Sequence, residues 1–222
     1  KLSAQLLRSP PDMLPDTPAL VAEDLTCIRN DRTLFSGLSF QLRASQALLL
    51  EGRNGSGKTS LLHILCGTRR PEHGQVSWAG ELIGELGSQY HAALAYLGHK
   101  DGVKLDLTLM ENLNIAKHLG NSDASALPAQ ALEELELSGY EDIPARHLSA
   151  GQRRRVALSR LALSRAPLWI LDEPFTSLDR HGIRIVETLV KRHLSNGGML
   201  AMTSHHAVDF GAFSVQRINL SA

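Results

Sequence analysis

The sequence predicts an α/β fold: a mainly parallel sheet covered by helices, with a helical subdomain inserted into it. Three observations lead there. Apolar runs such as Ala47-Leu48-Leu49-Leu50 and Leu168-Trp169-Ile170-Leu171 stop after a few residues, as buried strands do. Segments with apolar residues at helical spacing follow them, so strand and helix alternate. From about 89 to 148 the helical spacing takes over, with Leu109, Leu113 and Ala116, then Leu127, Leu132, Leu135 and Leu137 set among Glu, Lys and Asn.

Taken in order, residues 1–18 carry Pro10, Pro11, Pro15 and Pro18 and no helical or strand period, so they read as a flexible leader to a domain spanning 19–222. Short β-like runs at Leu20-Val21, Leu25 to Ile28 and Leu38 to Leu42 lead into the strand at Ala47 to Leu50. A glycine-rich loop, Gly52 to Gly57, interrupts the chain, and a helix is expected from Thr59 to Cys66, with Gly67 as its C-cap. After the helical subdomain come a helix around Gly151 to Leu163, a strand at Leu168 to Leu171, a helix around Gly182 to Leu194 and a strand at Met199 to Thr203.

Composition narrows the function classes. With 222 residues, 23 Lys+Arg against 23 Asp+Glu and 43% hydrophobic residues, the chain is an ordinary globular protein with no basic excess to suit a dedicated nucleic-acid binder. No apolar stretch approaches the ~20 residues of a membrane-spanning helix. No signal peptide is visible, and Cys27 and Cys66 form no C-x-x-C pair, which fits a reduced cytoplasm. The ten histidines show no metal-ligand spacing.

Chemistry is carried first by Gly52-Arg53-Asn54-Gly55-Ser56-Gly57-Lys58-Thr59, which satisfies G-x-x-x-x-G-K-[ST] between a predicted strand and a predicted helix, with Ser60 next in line. Glycines let the backbone wrap a phosphate chain, whose oxygens then meet backbone N–H groups and the helix N-terminus. Lys58 is expected to reach the β and γ phosphates of ATP, and the Thr59 hydroxyl to ligate Mg2+. Far downstream, an apolar strand ends in Asp172-Glu173. Unpaired buried carboxylates are costly unless a cation balances them, and nucleotide-bound Mg2+ is such a cation. Asp172 then supports the metal, while Glu173 polarises the attacking water as general base. Together the two elements identify a P-loop NTPase.

Leu148-Ser149-Ala150-Gly151-Gln152 decides the branch, because it resembles the L-S-x-G-Q signature of the ATP-binding cassette family. Phe175-Thr176-Ser177-Leu178-Asp179 is similar to that family's D-loop, and His205 after Thr203-Ser204 to its switch histidine. The resemblance implies a RecA-like core with an antiparallel β subdomain, and ATP hydrolysis by two cassettes closed head to tail around two nucleotides. It also implies that Ser149, Gly151 and Gln152 meet the ATP of a second copy, that Asp179 communicates across the dimer, and that His205 holds the γ-phosphate and attacking water.

Two positions depart from the family pattern. His99 stands where most cassettes have glutamine, leaving open contact with Mg2+-bound water or with a membrane partner. Arg29 stands where an aromatic usually stacks on adenine, leaving open a stacked guanidinium or a solvent-facing one. The run Arg153-Arg154-Arg155, with Arg160 and Arg165, reads as a solvated or partner-facing helix surface.

Within the family, the chain resembles the ATP-binding subunits of the haem exporters of bacterial cytochrome c biogenesis. That resemblance rests on Tyr96-Leu97-Gly98-His99-Lys100, on Thr108-Leu109-Met110-Glu111-Asn112-Leu113, and on the block from Leu148 to Leu158 continuing at Ala166 to Phe175. It implies an ATPase bound to integral-membrane permease subunits on the cytoplasmic face of the inner membrane, touching the membrane only through them and binding no nucleic acid. The alternatives are the ATPase subunit of another small-solute transporter, or a soluble cassette ATPase outside transport.

Overall fold

The computed structural model describes residues 19–120, 122 and 125–221. The leader expected at 1–18 lies outside the described residues. The described residues open with two antiparallel strands, β1 (Leu20–Arg29) and β2 (Arg32–Leu42), joined by Asn30 and Asp31. Both joining residues hold positive φ, 51° and 57°, the conformation that suits a two-residue hairpin turn. After β3 (Gln46–Glu51) and α1 (Lys58–Leu65), strands β4 (His73–Trp78) and β5 (Glu81–Leu82) complete an antiparallel sheet in the order β2-β1-β4-β5. The second sheet contains β3, β6 (Leu94–Leu97), β7 (Leu168–Leu171), β8 (Met199–Thr203) and β9 (Ser214–Asn219), in the order β6-β7-β8-β3-β9. Every pair in it is parallel, so the expected parallel core and antiparallel subdomain are both present.

Because side chains alternate across a strand, the parallel sheet feeds two cores. Leu48, Leu50, Leu168 and Ile170 pack with α1 and the antiparallel sheet on one face. Leu49, Trp169, Leu171, Leu200 and Met202 face the other core, shared with α4 (Leu109–Leu119), α5 (Pro128–Glu134), α6 (Ala150–Leu163) and α7 (Arg180–Ser195). Two short helices, α2 (Ile83–Leu86) and α3 (Ser88–Ala92), lead into β6. Strand β6 thus falls inside the 89–148 interval yet belongs to the core sheet, and after it the helices of that interval resume at α4.

Helix α4 starts with a capping box: Glu111 N donates to Thr108 Oγ1 at 3.1 Å, and Thr108 N to Glu111 Oε2 at 2.8 Å. Buried Asn112 fastens the preceding loop, donating to the carbonyls of Lys104, Leu107 and Thr108 and accepting from Lys104 N. The helical period read through Leu127, Leu132, Leu135 and Leu137 is corrected here. Pro128 holds Leu127 extended as the N-cap, Leu135 is the C-cap, and Glu136 turns left-handed at φ 53°. Only Leu132 of the four is helical, although Leu135 and Leu137 are buried as well.

Where α7 meets β7, His193 stacks on Trp169 with ring centroids 3.8 Å apart and planes 8° from parallel. Its Nε2 lies 3.0 Å from Met199 O. Burial pushes its pKa down to about 4, against the opposing pull of the Met199 and Pro167 carbonyls. The unfolded chain, with an ordinary histidine near 6.5, takes up the proton first, so stability is full above that pH and falls as pH drops towards about 4. The fall should be about 1.4 kcal/mol per pH unit in that window. Urea unfolding of His193→Phe, which keeps an aromatic ring against Trp169, should show a shallower loss between pH 6.5 and 4.5; an unchanged slope would refute this account.

Candidate functional site

The C-terminal ends of β3, β7 and β8 open into one cavity of about 560 Å³. In a parallel sheet, loops leaving this end collect the functional groups. The loop after β3 is the glycine-rich one, and Gly52, Gly55 and Gly57 hold φ of 137°, 79° and 105°, values that side chains with a Cβ rarely adopt. Gly57 is the N-cap of α1 and supplies no side-chain cap, which leaves the first N–H groups of the helix for a ligand. Lys58 opens the helix and turns its Nζ back onto the loop, donating to Gly52 O at 2.7 Å and Arg53 O at 3.3 Å. Ser56 Oγ is buried without a hydrogen-bond partner. An ammonium resting on its own loop and an unpartnered hydroxyl fit a site shaped for phosphate.

Across the cavity, Asp172 follows the last residue of β7 and is buried. Thr59 Oγ1 donates to its Oδ2 at 2.9 Å and Thr203 Oγ1 to its Oδ1 at 2.7 Å. The pairing links α1, β7 and β8 through one carboxylate. Thr59 and Asp172 offer oxygen donors only, the set that Mg2+ takes when phosphates and water complete its shell. Among the described residues no group of three or more His, Cys, Asp or Glu is placed to hold a metal.

Glu173 lies one residue beyond, in a left-handed backbone with φ 50°. Its N donates to Thr203 Oγ1 at 2.8 Å, and its Oε2 accepts from His205 N at 3.3 Å. Oε1 lies 3.3 Å from His205 Nε2 but has no aligned donor, leaving a buried carboxylate oxygen free to accept a proton. His205 itself is exposed at the mouth.

The cavity gathers Asn54, Gly55, Gly57, Lys58, Thr59, Ser60, His99, Asp172, Glu173 and His205. Arg29 and Leu34 line it on the side of the antiparallel sheet. Gly52 and Arg53 belong to the outer limb of the loop, where Arg53 N donates to Ser221 Oγ at 2.6 Å. Ser149, Gly151, Gln152 and Asp179 are not among the cavity's lining residues. Ser149 and Gln152 form a capping box at the start of α6, with Gln152 N to Ser149 Oγ at 3.2 Å and Ser149 N to Gln152 Oε1 at 2.9 Å. Gly151 is pressed against the Ser177 carbonyl, which a Cβ would approach to 2.8 Å, so this glycine answers a close backbone approach. Asp179 caps α7, and the Gly182 N–H on its Oδ1 at 2.7 Å holds its pKa below the usual carboxylate range.

Sequence reasoning missed Thr203, Thr176 and Leu34 as lining or bracing residues. Thr203 carried a signal, being a hydroxyl at the end of an apolar strand beside Asp172. The solvated arginine face is corrected too. Arg154 is buried, Arg153 Nη1 donates to Leu148 O, and Arg155 Nη1 donates to the carbonyls of Leu135 and Glu136. These guanidiniums satisfy carbonyls left open by irregular loops.

Comparison with known proteins adds a family and a fold. The ABC transporter family profile matches residues 35–176. The cytochrome c biogenesis ATP-binding export protein CcmA of Nitrosospira multiformis is 48% identical over 92% of this chain and 100% of its own length. The proteins of the same name from Methylococcus capsulatus and Escherichia coli are 51% and 44% identical over 87% and 91% of this chain, and 94% and 96% of their own lengths. Among solved structures, an ATP-binding subunit of an ABC transporter superposes with a TM-score of 0.75 at 25% identity, covering 84% of this chain and 80% of that one. A dimeric ATP-binding cassette with ADP and phosphate bound superposes at 0.73 and 18% identity, covering 84% and 88%.

Proposed function

Since the chain belongs to the ABC transporter family as an ATP-binding cassette ATPase, we propose that it powers the haem-handling step of cytochrome c biogenesis from the cytoplasmic side of a bacterial inner membrane. It does so bound to integral-membrane permease subunits. The observation that carries the hydrolytic part is Glu173 Oε1, a buried carboxylate oxygen without a donor, set beside the Thr59 and Asp172 pair. The haem assignment is supported by relatives 44–51% identical that carry the cytochrome c biogenesis name. Residues 19–222 form the cassette, with its helical subdomain within 89–148.

In the reaction, Lys58 swings from the Gly52 and Arg53 carbonyls to the β and γ phosphates of ATP, while the N–H groups at the start of α1 meet the same oxygens. Gly52, Arg53, Asn54, Gly55, Ser56 and Gly57 wrap the phosphate chain, and Ser60 extends the cradle into the first turn. Thr59 and Asp172 would hold Mg2+, which when bound would neutralise developing charge on the phosphates. Glu173 Oε1 takes the proton of the attacking water as it adds to the γ-phosphorus and ADP leaves. His205 orients that water and the γ-phosphate. His99, on the cavity wall, contacts the water shell of the phosphates, and Arg29 with Leu34 faces the base.

One copy leaves the γ-phosphate open to solvent. Ser149, Gly151 and Gln152 of a second copy close it, offering a hydroxyl and the positive end of α6, and Asp179 relays closure across the pair. Among the described residues no helix is long and apolar enough to cross a membrane. In this reading, closure of two cassettes reaches the bilayer through the permease subunits.

The test is complementation. A bacterium deleted for its own such subunit should regain haem-stained c-type cytochromes when this chain is expressed, and not when Glu173→Gln is expressed at equal abundance. Restoration of another transport activity, with no recovery of cytochrome staining, would reject the haem assignment.

A further inference from the structure

Arg154, in the second turn of α6, is the largest fully buried side chain among the described residues and lies just behind the catalytic carboxylates. Its Nε donates to Pro174 O at 3.0 Å, and its Nη2 to Glu173 O at 2.7 Å and Asp172 O at 3.2 Å. Three successive carbonyls therefore converge on one guanidinium, in the segment that Glu173 turns with its left-handed φ of 50°. Non-glycine residues hold that conformation only where their surroundings enforce it. The remaining nitrogen, Nη1, donates to Asp101 Oδ1 at 2.9 Å and to Gly98 O at 3.2 Å, the residue before His99.

We propose that Arg154 is a positioning residue for hydrolysis, holding the Glu173 backbone in register with the start of α6 and with the His99 segment, so that the base is aligned only while α6 is seated. The role rests on the ATPase reading. The start of α6 carries Ser149 and Gly151, the groups expected to meet a second copy's ATP. A shift of that helix on engagement is thus passed by a planar, five-donor group to the peptide units on either side of the catalytic side chain. A lysine can serve the three carbonyls from one point but cannot fork towards Gly98 and Asp101 as well.

The test uses the full chain assembled with its membrane subunits and compares Arg154→Met, Arg154→Lys and Asp101→Ala. Arg154→Met should lower kcat about 100-fold, the cost of a base displaced by roughly 1 Å, with KM for ATP within about threefold. Arg154→Lys should recover about tenfold of that loss. Asp101→Ala, which frees the solvent-facing end of the tie, should lower kcat about threefold to tenfold with no change in Tm. Amide exchange across residues 172–176, followed without nucleotide, should quicken in Arg154→Met. A kcat within twofold of the parent would overturn the proposal, as would kcat and ATP affinity falling together with no recovery by lysine. Where Arg154→Met fails to fold, Asp101→Ala decides, and an unchanged kcat there rejects the tie. A parent protein without ATPase activity would refute the hydrolytic reading instead, and the exchange measurement then judges the tie separately.

Discussion

Glu173→Gln should abolish turnover while ATP still binds. The substitution keeps the shape of the side chain and an oxygen that can accept from His205 N, so the loop after β7 has no reason to move. What disappears is the only proton acceptor on a side chain that ends β7 facing the cavity, apart from Asp172, whose two oxygens are already engaged by Thr59 and Thr203. General-base contributions commonly run from about 100-fold to 10,000-fold, so kcat should fall at least about 100-fold, with the ATP dissociation constant within about threefold. Steady-state phosphate release and nucleotide titration check the two halves. Ordinary hydrolysis in the variant would remove the base assignment.

Lys58→Ala should have the opposite character, losing the nucleotide before any chemistry. In the structure the ammonium is held by two carbonyls of its own loop, so it can leave them for phosphate oxygens at little cost in folding. Hydrogen bonds between charged partners are worth about 1.5–3 kcal/mol each, so losing one or two should weaken ATP binding about 10-fold to 100-fold or more. Equilibrium titration with ATP measures it, and an unchanged dissociation constant would contradict the role of the loop. Unaltered melting of the free protein would confirm that the loss is local.

Much of this site was legible in the sequence because it depends on local chemistry at fixed spacing. The strand, loop and helix around Gly52 to Thr59 follow from glycines at left-handed positions and an apolar run on each side. Leu168 to Leu171 reads as a buried strand because it is covered on both faces. Elements without that coverage were hidden. Strand β9 is an edge strand whose Ser, Gln, Arg and Asn face outward, and β4 buries only Val76 and Trp78, so neither shows a run. Leu132, Leu135 and Leu137 mimicked a helix because burial, not helicity, fixed their spacing once Pro128 and Glu136 had bounded the helix.

Arg154 was hidden for a different reason. Composition gives an arginine run to solvent, and only the tertiary arrangement shows three loop carbonyls waiting for a guanidinium. The same holds for Thr203, whose partner Asp172 is 31 residues away, just past the end of the neighbouring strand. Ser149, Gly151, Gln152 and Asp179 mark the remaining limit, since their ligand is expected on another copy and one chain can show only how they are held.

The claim that the site is completed by a second copy is tested most directly by the mass of Glu173→Gln in solution, measured by sedimentation with saturating Mg-ATP and again with ADP. A single chain of 24.2 kDa should give about twice that mass with ATP and return to it with ADP. A single-chain mass under saturating ATP, with nucleotide demonstrably bound, would contradict the head-to-tail sandwich.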